Sequence, residues 1–205
     1  MGFFDELKKQ ASQGLNNTVS NAARSVGQSV SNTAANALNN ASYKTETFTF
    51  KSLPQDVSQL KALPEADLTT PFKTAALVMA VLCNYENDVQ GTIDMVNFLK
   101  GPQPLSPYDI QFLRDRIKGR GYIPRSYFSG TNPQNNYTPT APYSISVSEQ
   151  KYSYENQGYA KLFLQSSGAD SPRPIVLRQK GNQWFLWQNL ALSDIRRPAE
   201  QDPWA

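Results

Sequence analysis

The sequence predicts an α+β domain in which N-terminal helices pack on a curved antiparallel sheet, preceded by a long amphipathic helix or flexible tail. Three observations carry the prediction. Residues 72–83 are apolar on nearly every side, the pattern of a helix buried at the centre of a domain. Four β-patterned runs follow one another over residues 143–188, and the last two flank Gly181-Asn182, a strong hairpin signal. One further strand-like run, at residues 45–50, stands ahead of the helices. A strand, then helices, then an antiparallel meander is an α+β order. The picture is of the cystatin or nuclear-transport-factor-2-like kind, an analogy of shape that licenses no function.

In chain order, Thr45-Glu46-Thr47-Phe48-Thr49-Phe50 alternates and reads as the first strand. Leu53, Val57 and Leu60 suggest a short helix bounded by Pro54 and Pro64. Thr70-Pro71 opens the central helix, with Thr as the cap and Pro at the first helical position, where its missing N–H costs nothing. Cys83 closes that helix as a small buried hydrophobe rather than a reactive thiol. A second helix runs near residues 92–100, with Ile93, Val96 and Leu99 on one stripe and Gly101-Pro102 as its stop. Ser106-Pro107-Tyr108-Asp109 starts a third, in which Ser106 caps and Asp109 completes a capping box; Ile110, Leu113 and Ile117 supply its buried stripe. Over residues 119–142 regular periodicity fails. The tyrosines and phenylalanines there argue for an ordered loop packed across the sheet. The remaining strands are residues 143–147, 159–165, 175–180 and 183–188, with Trp184, Phe185 and Trp187 as the aromatic mass on the sheet.

Residues 1–42 read as a unit separate from the globular part, 43–205. Asn17-Thr18-Val19-Ser20-Asn21-Ala22-Ala23 returns loosely as Gln28-Ser29-Val30-Ser31-Asn32-Thr33-Ala34, an eleven-residue interval. Eleven residues in three turns is 3.67 per turn, so a helix would keep this stripe nearly straight along one face. Phe3, Phe4 and Leu7 form a bulky apolar knob ahead of Lys8 and Lys9. The Asn, Ser, Thr and Gly content lowers helix propensity, so the segment is marginal as a helix by itself. Three readings stay open. It is a flexible low-complexity tail, a helix that folds on a membrane with Phe3, Phe4 and Leu7 as its anchor, or a helix that builds a homo-oligomer through Ala-rich packing.

The net charge of +3 is too small to point to nucleic acid by itself, and no recognised RNA or DNA motif is present, so a nucleic-acid partner is not expected. The charge is unevenly distributed: residues 43–110 hold five basic and eight acidic side chains, residues 111–200 twelve and six. A basic face is therefore expected. Cys83 is the single cysteine and there is no histidine. That removes an internal disulfide, the commonest zinc ligand and every Ser-His or Cys-His nucleophile system. No catalytic residue, metal site or cofactor is expected. No run approaches the roughly 18 apolar residues of a membrane span, and Met1-Gly2-Phe3-Phe4-Asp5-Glu6 lacks the pattern of a secretory signal. The expectation is a cytoplasmic protein, peripheral at the inner face of the membrane where its tail binds lipid.

Several segments look like family signatures: Tyr122-Ile123-Pro124-Arg125-Ser126-Tyr127-Phe128, Ser167-Gly168-Ala169-Asp170-Ser171-Pro172-Arg173-Pro174, Asp194-Ile195-Arg196-Arg197-Pro198, the ending Asp202-Pro203-Trp204-Ala205, and Leu99-Lys100-Gly101-Pro102-Gln103-Pro104-Leu105-Ser106. Together they resemble an uncharacterised bacterial family known only as a domain of unknown function, over roughly residues 45–205. The resemblance implies no activity, cofactor or catalytic residue. On their own chemistry, Arg120, Tyr122, Arg125, Tyr127, Arg173, Arg178, Arg196 and Arg197 are the candidates for contact with a ligand or partner. Guanidinium groups beside tyrosines bind phosphate or carboxylate bidentately and stack on rings. The competing reading pairs each Arg with a nearby acid, such as Asp170, Asp194 or Asp202, to lock loops onto the domain. Asp109, Asp170 and Asp194 are available acids and Ser126 a hydroxyl, but spacing sets no partner base beside them.

The leading reading is a non-catalytic domain that binds a protein partner or an anionic ligand, attached to a membrane surface or assembly by its N-terminal helix. The alternatives are a small-molecule-binding or enzymatic domain, with a pocket between the 119–142 loop and the C-terminal hairpin, and a homo-oligomer assembled through the tail.

Overall fold

The computed structural model describes residues 43–204, which contain β1 (Thr45–Phe50), α1 (Val57–Lys61), α2 (Pro71–Leu82), α3 (Val89–Lys100), α4 (Pro107–Ile117), α5 (Tyr122–Arg125), β2 (Tyr143–Ser148), β3 (Tyr159–Leu164), β4 (Arg173–Lys180) and β5 (Gln183–Asn189). Short 3-10 turns at Pro64–Asp67, Pro133–Asn135 and Ala199–Gln201 complete the described elements. The five strands form one antiparallel sheet in the order β1-β2-β3-β4-β5, and the helices are inserted between β1 and β2. This is an α+β fold. The eleven-residue repeat and the Phe3, Phe4 and Leu7 anchor lie outside the described residues.

Helix α2 is the centre of the domain. Thr70 caps it, its hydroxyl accepting the Lys73 N–H at 3.4 Å, and Pro71 takes the first helical position. Residues 74–82 are all buried. Among them Ala75, Ala76 and Ala80 keep the helix slim, and it touches every strand of the sheet. The face it covers is supplied by Phe48 and Phe50 of β1, Ile145 and Val147 of β2, Leu162 and Leu164 of β3, and Ile175, Leu177 and Leu186 of β4 and β5. Each of these aliphatic and aromatic side chains contributes roughly 1.5–3 kcal/mol when removed from water.

The apolar stripe of α3 predicts a start near residue 92, but the helix begins at Val89. Asp88 decides the difference, because its carboxylate accepts the Gly91 N–H at 2.9 Å and so caps a turn that carries no apolar stripe. The capping box of α4 forms as expected: Ser106 Oγ accepts the Asp109 N–H at 3.2 Å and Asp109 Oδ2 accepts the Ser106 N–H at 2.9 Å.

The 119–142 segment has more regular structure than its periodicity suggests, since it holds α5 and a 3-10 turn. Elements of four and three residues are too short to leave a period in the sequence. The segment is pinned to the domain by its aromatic residues. Tyr137 is fully buried, stacks on Tyr122 at 5.9 Å and donates to the Arg196 carbonyl at 2.8 Å. Phe128 bridges Ile145 of β2, and the Ser129 N–H donates to the Ser144 carbonyl at 2.8 Å.

Strand β5 is an edge of the sheet, and the outward backbone groups of Trp184 are covered. The Trp184 N–H donates to the Leu68 carbonyl at 2.8 Å, while its carbonyl accepts the buried Thr74 hydroxyl of α2 at 2.7 Å. Gly101, with φ of +61°, lies so close to β5 that a Cβ there would overlap the Phe185 ring. The connection from α3 to α4 thereby rests directly on the strand.

Candidate functional site

Successive side chains of a strand point to opposite faces, so the burial of Ala160, Leu162 and Leu164 places Tyr159, Lys161 and Phe163 on the outer face of the sheet. Pairing extends these into rows: Tyr159 beside Arg178 and Phe185, Lys161 beside Val176 and Gln188, and Phe163 beside Pro174. On β1 and β2 the same outer face carries hydroxyls, with Thr47 bonded to Ser146 at 2.8 Å and Thr49 to Ser144 at 3.0 Å. One half of the face is therefore neutral and hydroxylated. The other half is aromatic and cationic.

Trp187 owes its position to an irregularity. Val176 pairs with Gln188 and Leu177 with Leu186, which leaves Trp187 as the extra residue of a β-bulge. Its ring meets Tyr159 edge to face at 5.8 Å. The Arg178 guanidinium sits over both rings, 4.7 Å from the Trp187 centroid and 5.4 Å from that of Tyr159. The pattern repeats nearby, with Lys161 Nζ 5.8 Å from the Phe163 ring and Lys151 Nζ 5.4 Å from that of Tyr152.

Three grooves share Trp187; one of about 280 Å³ is lined by Val78, Val96, Lys100, Asp109 and Leu186, and the other two run beside Tyr159 and Arg178. The first of these two, of about 980 Å³, runs over Lys151, Tyr152, Tyr159, Lys161 and Phe163, with Glu155 as its acidic side chain. The second, of about 490 Å³, is lined by Lys100, Arg178, Lys180 and Phe185 and includes no acid. The ion pairs among the described residues are Lys44–Glu46, Lys73–Asp67, Arg120–Asp194 and Arg196–Asp170. None of them engages a cation of these grooves.

Of the eight predicted contact residues, only Arg178 lies on this face. Arg120 pairs with Asp194 at 2.9 Å, Arg196 pairs with Asp170, and Arg173 donates to the Asp194 carbonyl at 3.2 Å. These three tie the last segment of the chain to the domain, which is the loop-locking role. Arg197 joins Arg120, Tyr122 and Gln201 around a groove of about 370 Å³. That groove is bounded by residues 119–122 and 194–201, so the loop meets the tail of the domain there and not the hairpin. Tyr122 stacks on Tyr137, as above. Tyr127 is buried, and its hydroxyl donates to the Ala191 carbonyl; burial pushes its phenol well above the usual range. Arg125 is half-buried near Cys83, with its Nε enclosed and unpartnered among the described residues. Burial outweighs that neighbouring charge and pushes the Cys83 thiol up to about 12.

Residue chemistry singles out Trp187 as part of the aromatic mass on the sheet but passes over Tyr159, Lys161 and Phe163. The signal was the alternation of Tyr159, Lys161 and Phe163 with buried residues. Knowing which side the helices cover is what turns that alternation into a site.

The fold and this face define a small α+β domain with one side of its sheet committed to a helical core and the other, among the described residues, uncovered by helices and lined by rings and basic side chains. Residues 52–199 match the family described as Domain of unknown function (DUF6935), and the chain belongs to that family. No curated protein and no solved structure matches it.

Proposed function

We propose that this is a non-catalytic binding domain whose open sheet face takes up an anionic partner, while residues 1–42 attach it to a membrane surface or assembly. The observation that supports the reading is Arg178. Stacking on Tyr159 and Trp187 holds the guanidinium in place, yet no ion pair or hydrogen bond among the described residues occupies its donors. A cation fixed in this way gives up little freedom when it binds an anion, and its planar fork suits carboxylate or phosphate.

Calorimetric titration of the full chain with heparin tests the binding. Heparin should bind at low salt and lose affinity as salt rises, and Arg178→Glu should weaken it about tenfold or more. Equal binding by wild type and variant would remove this face from the reading. The attachment role rests on the Phe3, Phe4 and Leu7 knob and the eleven-residue stripe. Liposome flotation of the full chain against a Phe3→Ser/Phe4→Ser/Leu7→Ser variant tests it. Should wild type stay with the unbound fraction across lipid compositions, lipid attachment is excluded.

A further inference from the structure

We infer that the anionic partner of the outer sheet face is a single-stranded nucleic acid, an inference that rests on the anion-binding reading above. The sum of charge, +3, hides how the charge is sorted. Lys151, Lys161, Arg178 and Lys180 line two of the grooves that meet at Trp187, with Glu155 as the acid there, and Lys100 is shared with a third that holds Asp109. A neutral or cationic partner would leave these cations unmatched.

The rings decide between classes of anion. Lys151, Lys161 and Arg178 each lie within 6 Å of an aromatic centroid, and Arg178 lies within that distance of two. Charge and ring thus alternate across the grooves, from Lys151 and Tyr152 through Lys161 and Phe163 to Tyr159, Arg178 and Trp187. A strand of nucleic acid alternates in the same way, phosphate with planar base. Basic grooves take the phosphates, and aromatic side chains or guanidinium planes stack on bases whatever their sequence. An acidic peptide supplies the charges but no planar groups for the rings. A duplex keeps its base faces stacked inside, where Trp187 and Tyr152 cannot reach them. The unstacked bases of a single strand meet both requirements. The bulge that frees Trp187 from the pairing ladder is the backbone feature that sets the central ring beside Arg178.

Fluorescence anisotropy of the full chain with labelled oligothymidylate and oligouridylate of about 12 nucleotides tests this. Binding should weaken linearly in log–log salt plots, with a slope of about −0.7 for each phosphate neutralised. Trp187→Ala and Arg178→Ala should each weaken it about tenfold, Trp187→Phe should retain most of it, and Lys118→Ala should leave it unchanged. Thermal melting of each variant separates loss of binding from loss of fold. Polyglutamate and a duplex of matching sequence are the competitors. If either competes as well as the single strand, or Trp187→Ala binds like wild type, the nucleic-acid inference is overturned while heparin binding keeps the anion reading intact. If heparin and oligonucleotide both fail to bind, the two readings fall together.

Discussion

Replacing Thr74 by Val removes one hydroxyl and keeps the side chain's shape, and the structure says what that hydroxyl does. Thr74 is fully buried on α2 and donates to the Trp184 carbonyl at 2.7 Å. Trp184 sits on the edge strand β5, and its N–H is likewise taken from outside the sheet, by the Leu68 carbonyl at 2.8 Å. With Val in place, the carbonyl loses its donor where α2 covers the edge. Leaving a buried acceptor unpaired costs about 1–3 kcal/mol. For a domain of this size each 1 kcal/mol moves the melting temperature by about 2–4 °C, so a fall of about 6 °C, the middle of the range, is expected in calorimetry or thermal circular dichroism. Thr74→Ser keeps the donor and gives up a methyl group, so it separates the hydrogen bond from the packing. Hydrogen exchange should also quicken in β5 for the Val variant before it does in β3. A Thr74→Val protein as stable as wild type would refute the account of how the β5 edge is closed, and with it the anchoring of the strand that carries Trp187.

Gly101→Ala should be destabilising by at least 2 kcal/mol or so, because φ of +61° costs a Cβ about 1–2 kcal/mol and that Cβ would also overlap the Phe185 ring; an unchanged melting temperature would contradict the close approach. Stability should decline in alkali. The Cys83 thiol has its folded pKa raised by burial from 9.0 to about 12, so its contribution is complete below pH 9.0 and is lost as the pH climbs toward 12. The slope is about 1.4 kcal/mol per pH unit for that one proton, and the buried Tyr127 phenol, also raised, adds to the loss at higher pH. Urea midpoints for wild type and Cys83→Ala should diverge in this sense, and identical pH profiles would show that the thiol does not contribute. Arg120→Ala should change stability by less than about 1 kcal/mol, since Arg120 and Asp194 are 43% and 73% exposed; a larger loss in chemical denaturation would mean that the guanidinium holds more than this pair.

The legible parts of the fold are those with long periods or local chemistry. Helix α2 announces itself by being apolar all round, α4 by its Ser106–Asp109 box, and the β4–β5 hairpin by Gly181-Asn182. The first turn of α3 was hidden because its cap, Asp88, precedes any apolar stripe, and α5 because four residues leave no period. Chemistry alone ranked the arginines equally. It could not separate Arg120 and Arg196, which meet Asp194 and Asp170 across the fold, from Arg178, which meets rings.

By itself the sequence determined the α+β class, the central buried helix, the absence of histidine chemistry and the excess of basic residues in the second half. Each of these follows from local patterning or from counting. Only the tertiary structure decided which arginines form ion pairs and which face of the sheet the helices cover. Those outcomes depend on strand register and on the side that α2 covers: one step of register exchanges the two faces of β3, and the bulge at Val176 and Leu177 moves Trp187 beside Arg178. Contacts that join different strands leave no period to read, and the cluster of Tyr159, Arg178 and Trp187 at the centre of the outer face is made of such contacts.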